Sequence, residues 1–546
     1  MDNENMEPNE SSLFWADQLA EKIIERAQKE GKKIVIRCGQ TPSGGKHIGN
    51  LNDVIRAHFV YRSVIEKGHE AEFVHSTDDR DPLKDIPAKL ADLNTNWHPA
   101  EKFPELKKYL GHPLCRVPDP FGCCTSWSAH FTKVWEIGLN QLGMFPKIKS
   151  NDDYYKQGKF NPYIRMVFEK IDAVGKIIAK FQETKGDDYI PFDAICPKCG
   201  MLANISSFDL QKETVHFTCG GKSIKAKKSE GCGFEGDVPF SEGKLQWRFE
   251  WPAQWAIENI IFEPFGKDHA EGSWKSGQVI AKEIYGFEPP IPYVYEFFLV
   301  DGGKMSASKG NVYIVQDVLK VIEPEHFAFF YTKKPGKQRD LTFKDLMLIR
   351  EYEAAEKIYF GTAKADNERE ENNVRRSYEM ATPKIPAKMP QRIPFDFAAQ
   401  LVQIYSQNEE VIDAMKSSGH ITSEFSEEDL KSANNRLNLA RNWIAMFAPE
   451  EVKINVADAV SADVKAKLSQ GQISALKMLA AALDEKKTEA ELGEEFKRII
   501  AETKITPQDF YKACYLAIIG KERGPKLAGF IIAIGQERIV KVLKSI

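Results

Sequence analysis

Apolar positions in this chain recur first at helical and then at alternating spacing. Leu13, Phe14, Trp15, Leu19, Ile23 and Ile24 follow Ser11-Ser12 at helical intervals and stop at Gly31, which predicts an amphipathic helix. Ile34 to Cys38 reads as a short buried strand, Gln40 to Lys46 as a Gly/Pro turn, Asn50 to Lys67 as a helix ended by Gly68, and Phe73-Val74-His75 as a second strand. A helix starting at such a turn aims unpaired backbone N–H groups and a positive dipole end at it, which makes a site for phosphate.

From Ile34 to about Val300 short strands alternate with helices, the pattern of a doubly wound domain carrying insertions. One insertion, around Phe121 to Phe168, reads as aromatic and helical; another, Pro191 to Pro239, is rich in Gly, Cys and Lys and reads as a small separate module. Beyond Asn311 strand patterns become rare, and from Glu351 onward helix follows helix, with a charged, flexible connection expected at Asp366 to Pro394. Thr506 is placed to cap a helix with Pro507 at its first position, and Gly520 and Gly524 break the run that follows. The predicted fold is α/β: a Rossmann-type domain over 1–310 with an inserted module at 190–240, a connecting region over 311–365, and an all-helical domain over 366–546.

Composition narrows the classes. Hydrophobic content of 42% and charged content of 28% are those of an ordinary globular chain, and no stretch approaches the roughly 20 apolar residues of a membrane span. Met1 to Glu10 is acidic and has no apolar core, unlike a secretory or transit peptide, so a cytoplasmic location is expected. Nine clustered cysteines, an odd number, argue for reduced thiols over a disulfide scaffold. A net charge of −4 gives no general pull toward nucleic acid, which disfavours nonspecific DNA binding and leaves room for a specific RNA.

Three segments carry candidate chemistry. Thr41-Pro42-Ser43-Gly44-Gly45-Lys46-His47-Ile48-Gly49-Asn50 joins strand to helix through glycines that let backbone approach a ligand. His47 and Asn50 can donate to phosphate oxygens, and Gly49 leaves space for adenine or ribose; the plain alternative is a turn with a surface histidine. Tyr295 to Val300 reads as a strand, Asp301-Gly302-Gly303 as a tight turn, and Lys304-Met305-Ser306-Ala307-Ser308-Lys309-Gly310-Asn311 as a loop suited to clamp pyrophosphate charge. Cys196, Cys199, Cys219 and Cys232 offer four thiolates, the last three followed by glycine, which suits a closed tetrahedral structural Zn2+ against the alternative of buried thiols. The second pair is widely split, so His216 is an alternative fourth ligand.

His47 to Asn50 and Lys304 to Ser308 resemble the HIGH and KMSKS elements of class I aminoacyl-tRNA synthetases. Pro118-Asp119-Pro120-Phe121-Gly122 leading to Ser128-Ala129-His130-Phe131, Trp247-Arg248-Phe249-Glu250-Trp251-Pro252 leading to Trp255, and Phe265-Gly266-Lys267-Asp268-His269 are similar to one branch, the class I lysyl-tRNA synthetases. With Arg441-Asn442-Trp443, Ala448-Pro449-Glu450 and Gly520 to Pro525 in the helical half, the resemblance spans nearly the whole chain. It implies a catalytic first domain, a stem-contacting connection and an anticodon-binding helical domain. The implied activity is ATP-dependent formation of lysyl-adenylate, with Mg2+, followed by transfer of lysine to tRNA(Lys). Activation would require the transfer RNA, and neither DNA nor membrane would be a partner.

The resemblance also implies roles for residues. His47, Asn50, Lys304 and Lys309 would be catalytic, and His47, Gly49, Asn50, Gly266, Asp268, Lys304, Ser306 and Ser308 would bind ATP; capping a helix is the alternative for Asp268. A lysine side chain needs an anion for its ammonium and aromatic walls for its methylenes. Glu296 is the candidate carboxylate, with Trp247, His269 and Tyr295 beside it and Asp78 and Asp79 as secondary candidates; the resemblance adds Gly39 and Thr41. Two positions depart from the pattern: Asn50 stands where HIGH has its last histidine, and Ala307 stands where KMSKS has its second lysine, leaving Lys309 as the nearest substitute. The rivals are a glutamyl- or glutaminyl-type ligase, which would want a cation in the side-chain pocket, and a catalytically silent tRNA-binding paralogue.

Overall fold

The structure, a computed structural model, describes residues 14–181, 189–224, 227–305, 312–333, 336–417 and 419–546, with backbone only at 222–224 and 227–229. The helix α1 (Trp15–Glu30) turns Ala16, Leu19, Ala20, Ile23 and Ala27 inward, and Gly31 ends it in the left-handed region at φ 60°. β1 (Ile34–Gln40) leads through a 3-10 turn at Ile48–Asn50 into α2 (Leu51–Glu66), and β2 (Ala71–Thr77) returns parallel to β1, in register from Ile34 opposite Ala71 to Gln40 opposite Thr77. The central sheet is parallel throughout, in the order Ile291–Tyr295, Phe262–Gly266, β1, β2, Lys147–Ser150.

The edge strand Lys147–Ser150 corrects the expectation that Phe121 to Phe168 is helical. It follows α3 (Trp127–Gln141) and has a single apolar residue, Ile148, between two lysines, so no alternation marks it. The strand expected over Tyr295 to Val300 is also two pieces. Ile291–Tyr295 closes its register at Gly266 opposite Tyr295, while Leu299–Val300 pairs instead with Asp340–Leu341. Between 192 and 245 lies an antiparallel sheet of five strands, in the order Glu235–Pro239, Thr214–Thr218, Leu202–Asp209, Phe192–Ile195, Gly243–Leu245. Phe192 and Phe217 from this sheet, with Phe240 from the turn that joins two of its strands, share a core with Phe168 and Ile177.

The chain divides into two compact units. The first holds the described residues up to 319 with 324–342 and 352–385; the second holds 320–323, 343–351 and 386–546. The stretch expected as a flexible connection contains a helix, Glu368–Ala381, capped by Asn367, which accepts from the Glu370 N–H at 2.9 Å. Its Arg376 makes a two-pronged pair with Asp17 at 2.8 and 2.9 Å and reaches Glu66 at 2.7 Å, so residues 366–385 fold with the first unit.

In the second unit, helices from Gln470–Ala482 to Gln536–Leu543 pack around Leu476, Leu479, Ile499, Phe510, Ile518 and Ile531. Ser426, Ser469 and Thr488 open helices with reciprocal capping boxes to Asp429, Gln472 and Glu491. Thr506 caps the helix that begins at Pro507 and ends at left-handed Gly520, as the sequence predicts. Trp443 is buried and its indole N–H donates to the Phe343 carbonyl at 2.6 Å. No helix among the described residues is long and apolar enough to cross a membrane.

Candidate active site

The carboxyl ends of the parallel strands open into a cavity of about 1060 Å³ in the first unit. Gly39, Gln40 and Thr41 enter it from β1, Asp78 and Asp81 from the end of β2, and Gly266 and Tyr295 from the two strands on the other side. This is where open α/β sheets bind ligands.

His47 is set by its own turn. Its Nδ1 accepts the Gly49 N–H at 3.1 Å, which leaves the proton of the neutral ring on Nε2. Burial, then the charges of Lys46 and Lys304, push the imidazole down to about 4, so the ring is neutral near pH 7 and presents an N–H donor. A Cβ at residue 49 would meet the His47 ring at 2.8 Å and the Met305 methyl at 3.3 Å, so glycine is required here by close approach. The turn is pinned from several sides: Ile48 N–H donates to the Tyr313 carbonyl at 2.9 Å, Tyr331 Oη to the Ile48 carbonyl at 2.8 Å, and Asn52 Nδ2 to the Gly49 carbonyl at 3.2 Å. Asn50 and Lys304 line the same cavity, with the Lys304 ammonium 4.7 Å from the centre of the Phe297 ring.

Gly266, Asp268 and His269 lie at another wall. Asp268 is inside the short helix Lys267–His269, whose N-cap is Gly266, so Asp268 does not cap it. Trp247 stacks on Trp251 with ring centres 5.2 Å apart, His269 lies 5.6 Å from Trp251, and the buried Trp247 indole N–H has no partner among the described residues. Tyr295 donates its hydroxyl to Asp53, whose carboxyl burial pushes up to about 7. Glu296, the expected ammonium receptor, is not brought into the cavity. The chain leaves the sheet after Tyr295, which lines the cavity, and the Glu296 carboxylate is taken up by Lys267 at the cavity wall. Ser306, Ser308 and Lys309 lie outside the described residues.

The floor holds acids. Asp81 accepts from Thr41 Oγ1 at 3.0 Å and pairs with Lys244 at 3.1 Å, and Lys244 also pairs with the buried Glu250. Asp78 is buried and, among the described residues, accepts from the neutral amides of Gln254 at 2.9 Å and Asn151 at 3.1 Å. Burial and the neighbouring Asp81 charge raise its carboxyl. Asp79 turns the other way, holding Ser150, Thr77 and the Asp152 N–H, and does not line the cavity. Arg37 is neutralised by Glu263, whose carboxylate also accepts from the indoles of Trp251 and Trp255.

Two clusters have the donors to hold a metal. The sulfurs of Cys196, Cys199, Cys219 and Cys232 all lie within 4.8 Å of one another, with Cys196–Cys232 and Cys199–Cys219 both at 3.6 Å. Zinc–sulfur bonds of about 2.3 Å in a tetrahedron put sulfurs about 3.8 Å apart, so the set fits that ion. Gly200 and Gly233 are left-handed at φ 78° and 70°, as the turns after Cys199 and Cys232 require. His216 is exposed and bound to Asp237 at 2.6 Å, away from the sulfurs.

The second cluster, Asp119, Cys123, Cys124 and His130, was not anticipated, although Asp-x3-Cys-Cys-x5-His carries the signal. His130 Nε2 donates to the Ala91 carbonyl at 2.9 Å, leaving Nδ1 facing Asp119 at 3.2 Å and the Cys123 sulfur at 3.3 Å. Sequence reasoning likewise passed over Asp81, Lys244 and Lys46 as site residues. The run Asp78-Asp79-Arg80-Asp81 at a strand end was the available sign for the first of these.

Comparison with known proteins agrees with this geometry. The family model of tRNA synthetases class I (K) matches residues 13–384, and an anticodon binding domain model matches residues 397–546. A lysine–tRNA ligase of Halobacterium salinarum is 36% identical over 540 residues, covering 97% of each chain. Enzymes of the same name from Natronomonas pharaonis and Pyrococcus horikoshii are 34% and 35% identical, covering 98% and 97% of this chain and 98% and 99% of their own.

Proposed function

This chain belongs to the tRNA synthetases of class I (K) and is a lysine–tRNA ligase; from that premise we propose which residues perform each part of the reaction. A carboxylate oxygen of lysine attacks the α-phosphorus of ATP and pyrophosphate leaves. The 2′-hydroxyl of the terminal adenosine of tRNA(Lys) then attacks the lysyl carbonyl carbon and AMP leaves. Little covalent work falls to the protein, so its contribution is positioning and charge stabilisation. His47 donates its Nε2 proton in a hydrogen bond to a phosphate oxygen, a role fixed by the Gly49 contact to Nδ1. Asn50 and Lys304 add donors from the same cavity, with Lys309, Ser306 and Ser308 completing the clamp; Gly49 and Gly266 make room for the adenosine and Asp268 takes its ribose hydroxyls. Mg2+ accompanies ATP as counter-ion to its phosphates.

Asp78 carries the lysine reading. It is a buried acid whose hydrogen bonds come from neutral amides, with a like charge beside it, while the cations that act on it, Arg37 and Lys244, are paired with Glu263 and with Asp81 and Glu250, so an arriving ε-ammonium supplies a direct partner. Trp247, Tyr295 and His269 wall the methylenes, and Gly39 and Thr41 bound the pocket at the end of β1. A glutamyl- or glutaminyl-type pocket would instead turn a cation to the substrate side chain, and beside Asp78 the lysine on the cavity floor, Lys244, is already held by Asp81 and Glu250. Cys196, Cys199, Cys219 and Cys232 hold a structural Zn2+. Asp119, Cys123, Cys124 and His130 form a second metal position bracing α3, whose Trp127 indole donates to the Pro42 carbonyl at 3.1 Å. Assay of total transfer RNA with each of the twenty amino acids tests the whole reading. Charging with lysine alone is expected; charging with glutamate or glutamine, or with none, overturns it.

A further inference from the structure

We propose that Lys46 is a further catalytic residue, whose ammonium binds the triphosphate of ATP beside His47 and supplies the charge that Ala307 lacks. The proposal rests on the ligase reading above. It assigns a second fixed cation to the phosphates, from the other loop than the one in which the family pattern places it.

Four observations lead to it. Lys46 directly precedes His47 and lines the same cavity as His47, Asn50 and Lys304. Among the described residues its half-buried ammonium makes no hydrogen bond and no ion pair. Of the other lysines of the cavity wall, Lys244 is held by Asp81 and Glu250, Lys267 by Glu296, Lys304 faces the Phe297 ring, and Lys84 is exposed to solvent, where its charge is hydrated. A cation withdrawn from water without a partner is costly and gains most from an incoming anion.

Charge and rigidity supply the remainder. Burial pushes the Lys46 ammonium down to about 8, against the opposing pull of Asp78, Asp53 and Asp81, so it remains mostly protonated near pH 7. His47 feels the fields of both Lys46 and Lys304, which places the ring where two cations converge. The turn behind Lys46 is pinned through Ile48 to Tyr313 and Tyr331, so the backbone that carries this charge is set at the cavity in advance of the reaction. Preorganised charge is the form of stabilisation that favours a developing pyrophosphate most. No bond to Lys46 forms or breaks; it donates hydrogen bonds to the non-bridging oxygens and keeps its protons.

The test is single-turnover lysylation of transfer RNA by the full-length enzyme at saturating ATP and lysine. Lys46→Ala is expected to slow the reaction roughly 10²- to 10³-fold, with the KM values for ATP and lysine little changed. Lys46→Arg should retain most of the rate, and adding Ala307→Lys to Lys46→Ala should recover about tenfold or more, because the charge is restored from the other loop. Where Lys46→Ala lowers the melting temperature, the isosteric Lys46→Met replaces it. A Lys46→Ala enzyme at the parent rate overturns the inference. So does one whose lysine KM rises without rescue by Ala307→Lys, since Lys46 would then be only a counter-ion to Asp78. A loss seen on Lys309→Ala and not on Lys46→Ala would overturn it as well. If the parent enzyme charges no lysine, it is the ligase reading that fails.

Discussion

Gly49 and His47 form one unit: the glycine N–H is bound to the imidazole Nδ1 at 3.1 Å, and a methyl on the glycine would stand 2.8 Å from that ring. Gly49 is not in the left-handed region, so Gly49→Ala tests this contact alone, free of backbone strain. Displacing the ring by about an ångström is expected to slow adenylate formation roughly 10²-fold. Thermal melting should change little. A variant at the parent rate would show that the ring has room to give.

The same unit sets a pH behaviour. Burial lowers His47 from 6.5 to about 4, so the folded enzyme keeps the ring neutral as pH falls through 6.5 and protonates it only near 4. The unfolded chain takes up that proton near 6.5, so this residue's contribution to stability is lost as pH falls below 6.5. Ring nitrogen shifts of His47 in 15N NMR should remain those of the neutral Nε2–H tautomer at pH 5.5. Imidazolium shifts there would refute the assignment.

Recognition of the lysine side chain separates two carboxylates. Asp78→Asn removes the charge facing the cavity and should weaken lysine by about 2 kcal/mol or more, a KM raised roughly 30-fold or more, with ATP affected less. Glu296→Gln removes a partner of the exposed Lys267 and should leave lysine kinetics near those of the parent. The reverse pattern would return Glu296 to the pocket.

These two acids show what was legible in the sequence. The unit from Ile34 to Thr77 could be read because buried residues, turn glycines and helix caps are local signals, and the four cysteines could be read from spacing and glycines. For Glu296, nearness to Lys304 along the chain did not disclose the ion pair with Lys267, which forms only when the ends of two neighbouring strands meet. Tyr295 closes the register with Gly266, and the following residue falls outside. Asp78 and Asp81 become a floor only when β2 lies beside β1 and the inserted sheet brings Lys244 to them. The helix Glu368–Ala381 was hidden by its charges, which are themselves the means of docking through Arg376.

Metal content is a direct measurement. Purified protein should carry zinc on Cys196, Cys199, Cys219 and Cys232, and a strong chelator should loosen the inserted sheet whose connecting turns bear them while the central parallel sheet persists. Cys232→Ser should lower the zinc content, whereas His216→Ala should not, because His216 is engaged with Asp237. Zinc loss in the histidine variant would reassign the fourth ligand.

Activation is expected to need transfer RNA. Lysine-dependent exchange of pyrophosphate into ATP should be negligible with protein, lysine and ATP alone, and should appear when cognate transfer RNA is added, as closure on binding the acceptor end requires. Strong exchange by the protein alone would mean that the pocket is complete beforehand.

The hydrogen bond from Ile48 to Tyr313, with the bridge of His47 to Ile314, ties the first nucleotide-handling segment by main chain to the residues that follow the second. Its amide cannot exchange with solvent deuterium until those strands part, so one backbone proton becomes a built-in gauge of how often the segments separate. Slower exchange at Ile48 when ATP is present would register closure with no label attached and no residue altered.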